Sequence, residues 1–286
     1  MPVPDRVPPD TMSSLRMADG VHLFTQQWTP SDPKATVLLV HGYGEHSGRY
    51  GHVARALAAV DVSVYAYDQR GYGRSDGRTA YIDTFDQYLD DLRVVMDHVR
   101  RSAPTVPLYL FGHSMGGAVV LLYVLERQTA GIEGLMLSSP AIEVDPDIAP
   151  LLRKMAKGIG QVLPRLPTVA SPEGAISRDP DVVAEAEADP LNYHGRVLAR
   201  TGAELLRACQ RIQQRLELLT LPFLVFHGTA DALTSPEASR HLYEAARSSD
   251  KTIHLYDGLY HETFNEPERE TVLTDLCDWL TKRIGG

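Results

Sequence analysis

An α/β fold, with a mostly parallel central sheet flanked by helices and broken by a helical insertion, is predicted by three features of the 286-residue sequence. Short β-branched runs alternate with helical patterns, and the connections between them are short as far as Pro140. Roughly 80 residues then pass before a convincing strand returns at 222–227, too many for a plain connection. Parallel strands must be joined by crossovers, usually helices, so the alternation argues for parallel pairing. The long interruption argues for an inserted unit.

Residues 36–40 (TVLLV) form the first strong strand, which stops at His41-Gly42. Residues 51–60 carry Val53, Ala56, Leu57 and Val60 at helical spacing, and 62–67 form the next strand. That strand opens into 68–77 (DQRGYGRSDG), a loop with three glycines. Residues 85–100 place Phe85, Tyr88, Leu89, Leu92, Val95, Met96 and Val99 on one stripe, as an amphipathic helix does. Strand, helix and strand follow at 108–112, 118–126 and 132–138. The insertion, 141–215, holds helical patterns punctuated by prolines at 164, 167, 172, 180 and 190. Helix, strand and helix resume at 236–247, 252–256 and 268–280, which completes the sheet. The expected division is a core of 17–140 and 216–284, a cap of 141–215 and an N-terminal extension of 1–16.

Composition narrows the function. Hydrophobic residues make up 43%, enough for one large core, or a core plus a modest inserted subdomain. A net charge of −9 argues against nucleic acid as a partner, since a phosphate-binding surface needs a basic face. The first 15 residues, with four prolines, lack the apolar stretch of a secretory leader, and no run approaches the ~20 apolar residues of a membrane span. A soluble, cytoplasmic protein, able to visit a membrane surface, is therefore expected. Cys209 and Cys277 are expected as small apolar side chains rather than as a disulfide.

Gly112-His113-Ser114-Met115-Gly116 fits G-x-S-x-G, and an apolar strand leads in while a helix follows. Ser114 then occupies a sharp strand-to-helix turn, the nucleophile elbow of the α/β-hydrolase fold, with glycines where side chains would clash. A serine hydroxyl is a weak nucleophile at neutral pH and needs a base with an acid to orient it. In this fold the chain order is Ser, acid, His. Asp231 follows the strand 222–227 and His261 follows the strand 252–256, both at strand carboxyl ends, where open α/β sheets build their sites. The rivals fit less well: His254 alternates within a strand, His241 lies within a helix, and Asp257 shares the loop of His261. Two backbone N–H groups are expected to hold the oxyanion, that of Met115 and that of Tyr43 in the loop His41-Gly42-Tyr43-Gly44. The glycines Gly71, Gly73 and Gly77 do not open a helix and are not read as a dinucleotide loop. No metal-ligand spacing occurs among the eleven histidines, so no metal site is expected.

These motifs, taken with the block Gly44-Glu45-His46-Ser47-Gly48-Arg49-Tyr50 and with Ser138-Ser139-Pro140-Ala141, His227-Gly228-Thr229-Ala230-Asp231 and Tyr260-His261, resemble monoacylglycerol lipases over nearly the whole chain. Ser177-Arg178-Asp179-Pro180, Asp189-Pro190-Leu191 and the run 260–269 (YHETFNEPER) resemble the bacterial branch. The resemblance implies a capped α/β-hydrolase that cleaves a monoacylglycerol to glycerol and fatty acid without a cofactor. It implies a cap over the site with an apolar acyl passage and a surface for transient contact with lipid. Glu45 and Arg49 match positions near the glycerol pocket and either contact the head group or form an ion pair that holds the loop; His113 lies beside the nucleophile. The chain departs from the pattern near Ala186, where relatives often carry a cap tyrosine. The run 151–163, with Arg153, Lys154 and Lys157 among apolar residues, is expected as a helix that packs on the cap or rests on a lipid interface. A lysophospholipase and a broad carboxylesterase remain alternatives, because the same residues serve any acyl ester; a non-catalytic ligand-binding relative is the alternative of another class, against which the complete Ser, Asp and His set counts. Sequence leaves the oligomeric state open.

Overall fold

The computed structural model describes residues 8–103, 105–127, 129–143, 163–168, 170 and 174–285. Eight strands among them form one sheet: β1 (Thr11–Arg16), β2 (His22–Trp28), β3 (Ala35–Val40), β4 (Val62–Tyr67), β5 (Leu108–His113), β6 (Gly134–Ser138), β7 (Phe223–Gly228) and β8 (Lys251–Tyr256). Their order is β1-β2-β4-β3-β5-β6-β7-β8. β1 and β2 pair antiparallel, β2 joins β4 antiparallel, and every pairing from β4 to β8 is parallel.

The helices follow from what the strands must bury. Along β3, Val37 and Leu39 point to one face and Leu38 and Val40 to the other, all buried, as a sheet covered on both sides requires. One face packs on α1 (Gly51–Ala58), through Val53, Ala54 and Leu57, and on the C-terminal α7 (Arg269–Ile284), through Leu273 and Leu276. The opposite face packs on α2 (Asp86–Ser102), α3 (Met115–Glu126) and α6 (Pro236–Ala245). Between α3 and α6 in the chain lie α4 (Pro180–Ala188) and α5 (Ala199–Gln213), both in the segment that separates β6 from β7. α3 is apolar all round and buried along its length, since α5 covers the side that the sheet leaves free.

The starts of these helices are encoded locally. Asp179 caps α4 through the amide of Asp181, Ser235 caps α6 through that of Ala238, and each helix opens with proline, which lacks the N–H that would be unpaired there.

The strands and helices expected from periodicity within the described residues are present, with ends shifted by no more than four residues. Within the expected N-terminal extension 1–16, Thr11–Arg16 forms an edge strand paired with β2. Its side chains are mostly exposed on both faces, so no hydrophobic alternation marks it; backbone pairing with β2 holds it. The run 151–163 lies outside the described residues except for Leu163, whose side chain is exposed. No helix among the described residues is long and apolar enough to cross a membrane.

Candidate active site

Ser114 sits between β5 and α3 with φ 52° and ψ −118°, a strained conformation for a residue with a side chain. The bend is tight enough to require its glycines. A Cβ on Gly116 would lie 2.1 Å from the carbonyl oxygen of Val40, and one on Gly112 would lie 2.7 Å from the Cα of Gly117. The strain presents the Ser114 hydroxyl to a cavity of about 480 Å³, and the hydroxyl makes no hydrogen bond among the described residues.

His261 faces the same cavity from the loop after β8. Its Nδ1 donates to Asp231 Oδ2 at 2.6 Å. Asp231 stands in the turn after β7, where its Oδ1 accepts from the amides of Leu233 and Thr234 at 2.7 and 3.1 Å. Oδ2 also accepts from the Thr234 hydroxyl at 2.9 Å and from His227 Nε2 at 2.9 Å. Burial works against the charge on Asp231, but the facing His261 and His227 outweigh it and hold the carboxyl far below its usual range. Burial likewise disfavours a charged His261, and the carboxylate of Asp231 more than offsets this, so its pKa lies above the ordinary imidazole value. An imidazole held in this way keeps Nε2 free to take a proton from a neighbouring hydroxyl.

The loop that carries His261 is itself fixed from several sides. Ser139, which follows β6 at φ 42°, donates its hydroxyl to the His261 carbonyl at 2.7 Å. Glu266 accepts from the Tyr260 amide at 2.7 Å, and the Glu262 amide donates to the Ile176 carbonyl at 2.8 Å. Gly228, on the neighbouring strand, leaves no room for a side chain: a Cβ there would meet the Leu259 and Tyr260 carbonyls at 2.2 and 2.3 Å.

Tyr43 and Met115 both line the cavity. Met115 is the first residue of α3, so its amide is one of those that a helix leaves without an internal partner. Behind Tyr43, Glu45 Oε1 accepts from the Gly42 amide at 2.6 Å and from the Tyr50 hydroxyl at 2.7 Å. Arg49 pairs with Glu45 Oε2 at 3.1 Å and with both oxygens of Glu262, at 2.6 and 2.8 Å. Burial opposes ionisation of Glu45, and Arg49 with the nearby histidines overcomes it, bringing its pKa down to about 2. Of the two roles open to Glu45 and Arg49 in sequence, the ion pair is therefore formed, and both residues also border the cavity. His113 is buried with its ring 4.8 Å from that of His261 and its Nδ1 3.1 Å from Ser138 Oγ; burial, then the neighbouring His261, push its pKa down to about 4.

The structure thus brings Ser114, His261, Tyr43, Met115, Glu45, Arg49 and His113 to one cavity, with Asp231 behind His261. The rivals lie elsewhere. Asp257 bonds the Thr229 hydroxyl at 3.2 Å on an exposed loop, His254 is on β8 at 3.8 Å from Asp275, and His241 is exposed on α6. Sequence reasoning missed His227, Thr234, Ser139 and Glu262. His227 and Ser139 stand inside motifs already noticed, and Glu262 adjoins His261, but nothing in the spacing shows which way their side chains turn.

The rest of the cavity is made largely by the segment between β6 and β7. Ile176, Val183 and Leu205 supply apolar wall, and Asn192, Tyr193 and His194 supply polar wall. Asn192 Oδ1 is buried with no partner among the described residues, while its Nδ2 donates to the Ala186 carbonyl at 2.9 Å. Ala186 also borders the cavity.

The parallel sheet with an antiparallel first edge, the strained serine at a strand-to-helix elbow and the Asp-His pair at strand carboxyl ends make this chain an α/β-hydrolase. Within that class it belongs to the family described as "Serine aminopeptidase, S33", whose model matches residues 31–268. It is 39% identical to a monoacylglycerol lipase of Mycolicibacterium smegmatis over 93% of this chain and 95% of the relative. It is 37% identical to a monoglyceride lipase of Rattus norvegicus over 98% of this chain and 94% of that one. Among solved structures it is similar to the monoacylglycerol lipase of Paleococcus ferrophilus, with a TM-score of 0.81 and 32% identity over 91% of this chain and 98% of the other.

Proposed function

We propose that this protein is a carboxylic ester hydrolase that cleaves monoacylglycerols to glycerol and a free fatty acid. The observation that carries the reading is the 2.6 Å Asp231–His261 pair facing the same cavity as the strained Ser114. Relatives named monoacylglycerol lipase and monoglyceride lipase, at 39% and 37% identity, support the substrate class. In this reading His261 Nε2 takes the proton of Ser114 as the hydroxyl attacks the ester carbonyl, and Asp231 fixes the tautomer and stabilises the imidazolium. The amides of Tyr43 and Met115 hold the oxyanion. Glycerol leaves with the proton returned by His261, and a water activated by the same imidazole frees the fatty acid from Ser114.

Residues 141–215 act as a cap. Ile176, Val183 and Leu205 take the acyl chain, and Asn192 Oδ1 accepts from a hydroxyl of the glycerol head. Glu45 and Arg49 act chiefly as a brace, Glu45 setting the Gly42 amide and with it the direction of Tyr43. Leu163 and Leu166, apolar and exposed, form part of a surface that touches the lipid source transiently.

Hydrolysis of monooleoylglycerol, a lysophosphatidylcholine and a short p-nitrophenyl ester, compared by kcat/KM, tests the substrate. The monoacylglycerol is expected to be preferred, and the Ser114→Ala variant to be inactive on all three. A preference of about tenfold or more for the short ester would contradict the lipase reading in favour of a general esterase.

A further inference from the structure

Asp231 is flanked by two histidines rather than one. His261 approaches Oδ2 at 2.6 Å from the cavity side, and His227, wholly buried at the end of β7, approaches the same oxygen at 2.9 Å from the other. The protonation of His227 follows from its partners. A carboxylate only accepts, so Nε2 carries the hydrogen given to Asp231. In a neutral ring Nδ1 then accepts, and the buried Ser239 hydroxyl of α6 stands 2.8 Å from it as donor. Burial, only partly offset by Asp231, lowers the pKa of His227, which agrees with a neutral ring.

We propose that His227 is a positioning residue for the reaction above: through its Nε2–H bond to Asp231 Oδ2 it orients the carboxylate and draws off part of its basicity, keeping the His261 imidazole from becoming too strong a base. This rests on the reading of Ser114 and His261 as nucleophile and base. The physical reason is competition at one oxygen. Each further donor on Oδ2 delocalises its charge and weakens its hold on the His261 Nδ1–H, and a weaker hold lowers the pKa of His261. The Thr234 hydroxyl, 2.9 Å from Oδ2, acts in the same sense. Other groups acting on His261 are Glu45 from the loop after β3 and Glu262 from its own loop, both of which raise its pKa, and the neutral His113 ring from β5. Glu45, Glu262 and His113 make no hydrogen bond to His227 among the described residues, but the Thr234 hydroxyl lies 3.2 Å from His227 Nε2 and 3.4 Å from His261 Nδ1, so a change at His227 reaches His261 through the Asp231 oxygen that both rings share and through Thr234 beside it.

The test pairs His227→Phe, which fills the ring's space without a donor, with His227→Gln, whose side-chain amide can place an N–H close to the position of Nε2. Two readouts are followed: the pH profile of kcat/KM on a short p-nitrophenyl ester, and the NMR titration of ¹⁵N-histidine-labelled protein with His261 assigned from a His261→Ala variant. The expected result is an upward move of the His261 titration and of the acidic limb by about one pH unit in His227→Phe, with most of it reversed in His227→Gln. A limb and a titration unchanged in His227→Phe, with a thermal melt like that of the wild type, would overturn the proposal. A shifted NMR titration in a protein that hydrolyses no ester would uphold the His227–Asp231–His261 coupling and overturn its catalytic meaning, which separates the two failures.

Discussion

Arg49 grips Glu262 with a two-pronged hydrogen bond, Nη1 to Oε1 at 2.6 Å and Nη2 to Oε2 at 2.8 Å, inside the protein and beside the residue that bears the imidazole. The same guanidinium reaches Glu45, so one cation holds two buried carboxylates, one from the loop of Tyr43 and one from the loop of His261. Removing one member of such a cluster leaves buried charge without a partner, which costs far more than an exposed pair is worth. The Arg49→Gln variant is predicted to lose about 3–5 kcal/mol of stability. Thermal unfolding followed by circular dichroism should show a fall in Tm on the order of 10 °C, and a melt within a degree or two of the wild type would contradict the brace.

Acid should act through the same cluster. Glu45 has a pKa of about 2 in the folded protein against an ordinary value of 4.5. A depressed carboxyl stabilises the fold above its unfolded pKa, and that contribution is lost as the pH falls through the folded one. Stability is therefore predicted to decline from about pH 5 toward pH 2, with a shallower decline in Glu45→Gln. Urea midpoints measured across this range would show parallel curves if Glu45 carried no such coupling.

Activity should rise with pH through the titration of His261, because only the neutral imidazole accepts the proton of Ser114. The folded-state pKa of His261 is raised by Asp231, so the acidic limb of kcat/KM is expected above the ordinary imidazole value of 6.5. Asp231→Asn removes that support and the correct tautomer, and kcat is predicted to fall by roughly 10³ to 10⁴. A limb below 6.5 in the wild type would mean that Asp231 does not govern His261.

The elbow should tolerate no added atom at Gly116. A methyl group there would press on the carbonyls of Val40 and His41 at 2.1 and 2.5 Å, both belonging to backbone that cannot swing aside. Gly116→Ala is predicted to fold poorly or to melt well below the wild type. Activity and Tm near those of the wild type would show that the turn is looser than described.

Where side-chain periodicity and turn chemistry coincide, the fold is legible from sequence. β3, β5 and β7 are buried at every position and mostly apolar because both faces of the sheet are covered, and the glycines around Ser114 announce a backbone that no other residue can follow. Asp231 and His261 stand out in the sequence by their positions after strands, which is a matter of topology, and the structure brings the two side chains together. β1 was missed because an exposed edge strand buries nothing and so carries no pattern. His227 was missed for the opposite reason: as the last side chain of a buried strand before a glycine it looks like packing, and only the turn of Asp231 back onto it reveals the contact. The pairing of Arg49 with Glu262 spans 213 positions, and such a pairing has no local signature.

The central claim, that Ser114 is a nucleophile activated by His261, is tested most directly by treating the purified protein with a fluorophosphonate and mapping the adduct by mass spectrometry. A single adduct on the peptide containing Ser114 is predicted, absent in Ser114→Ala and formed at least a hundredfold more slowly in His261→Ala. An unlabelled wild type, or an adduct on another residue that persists in Ser114→Ala, would contradict it.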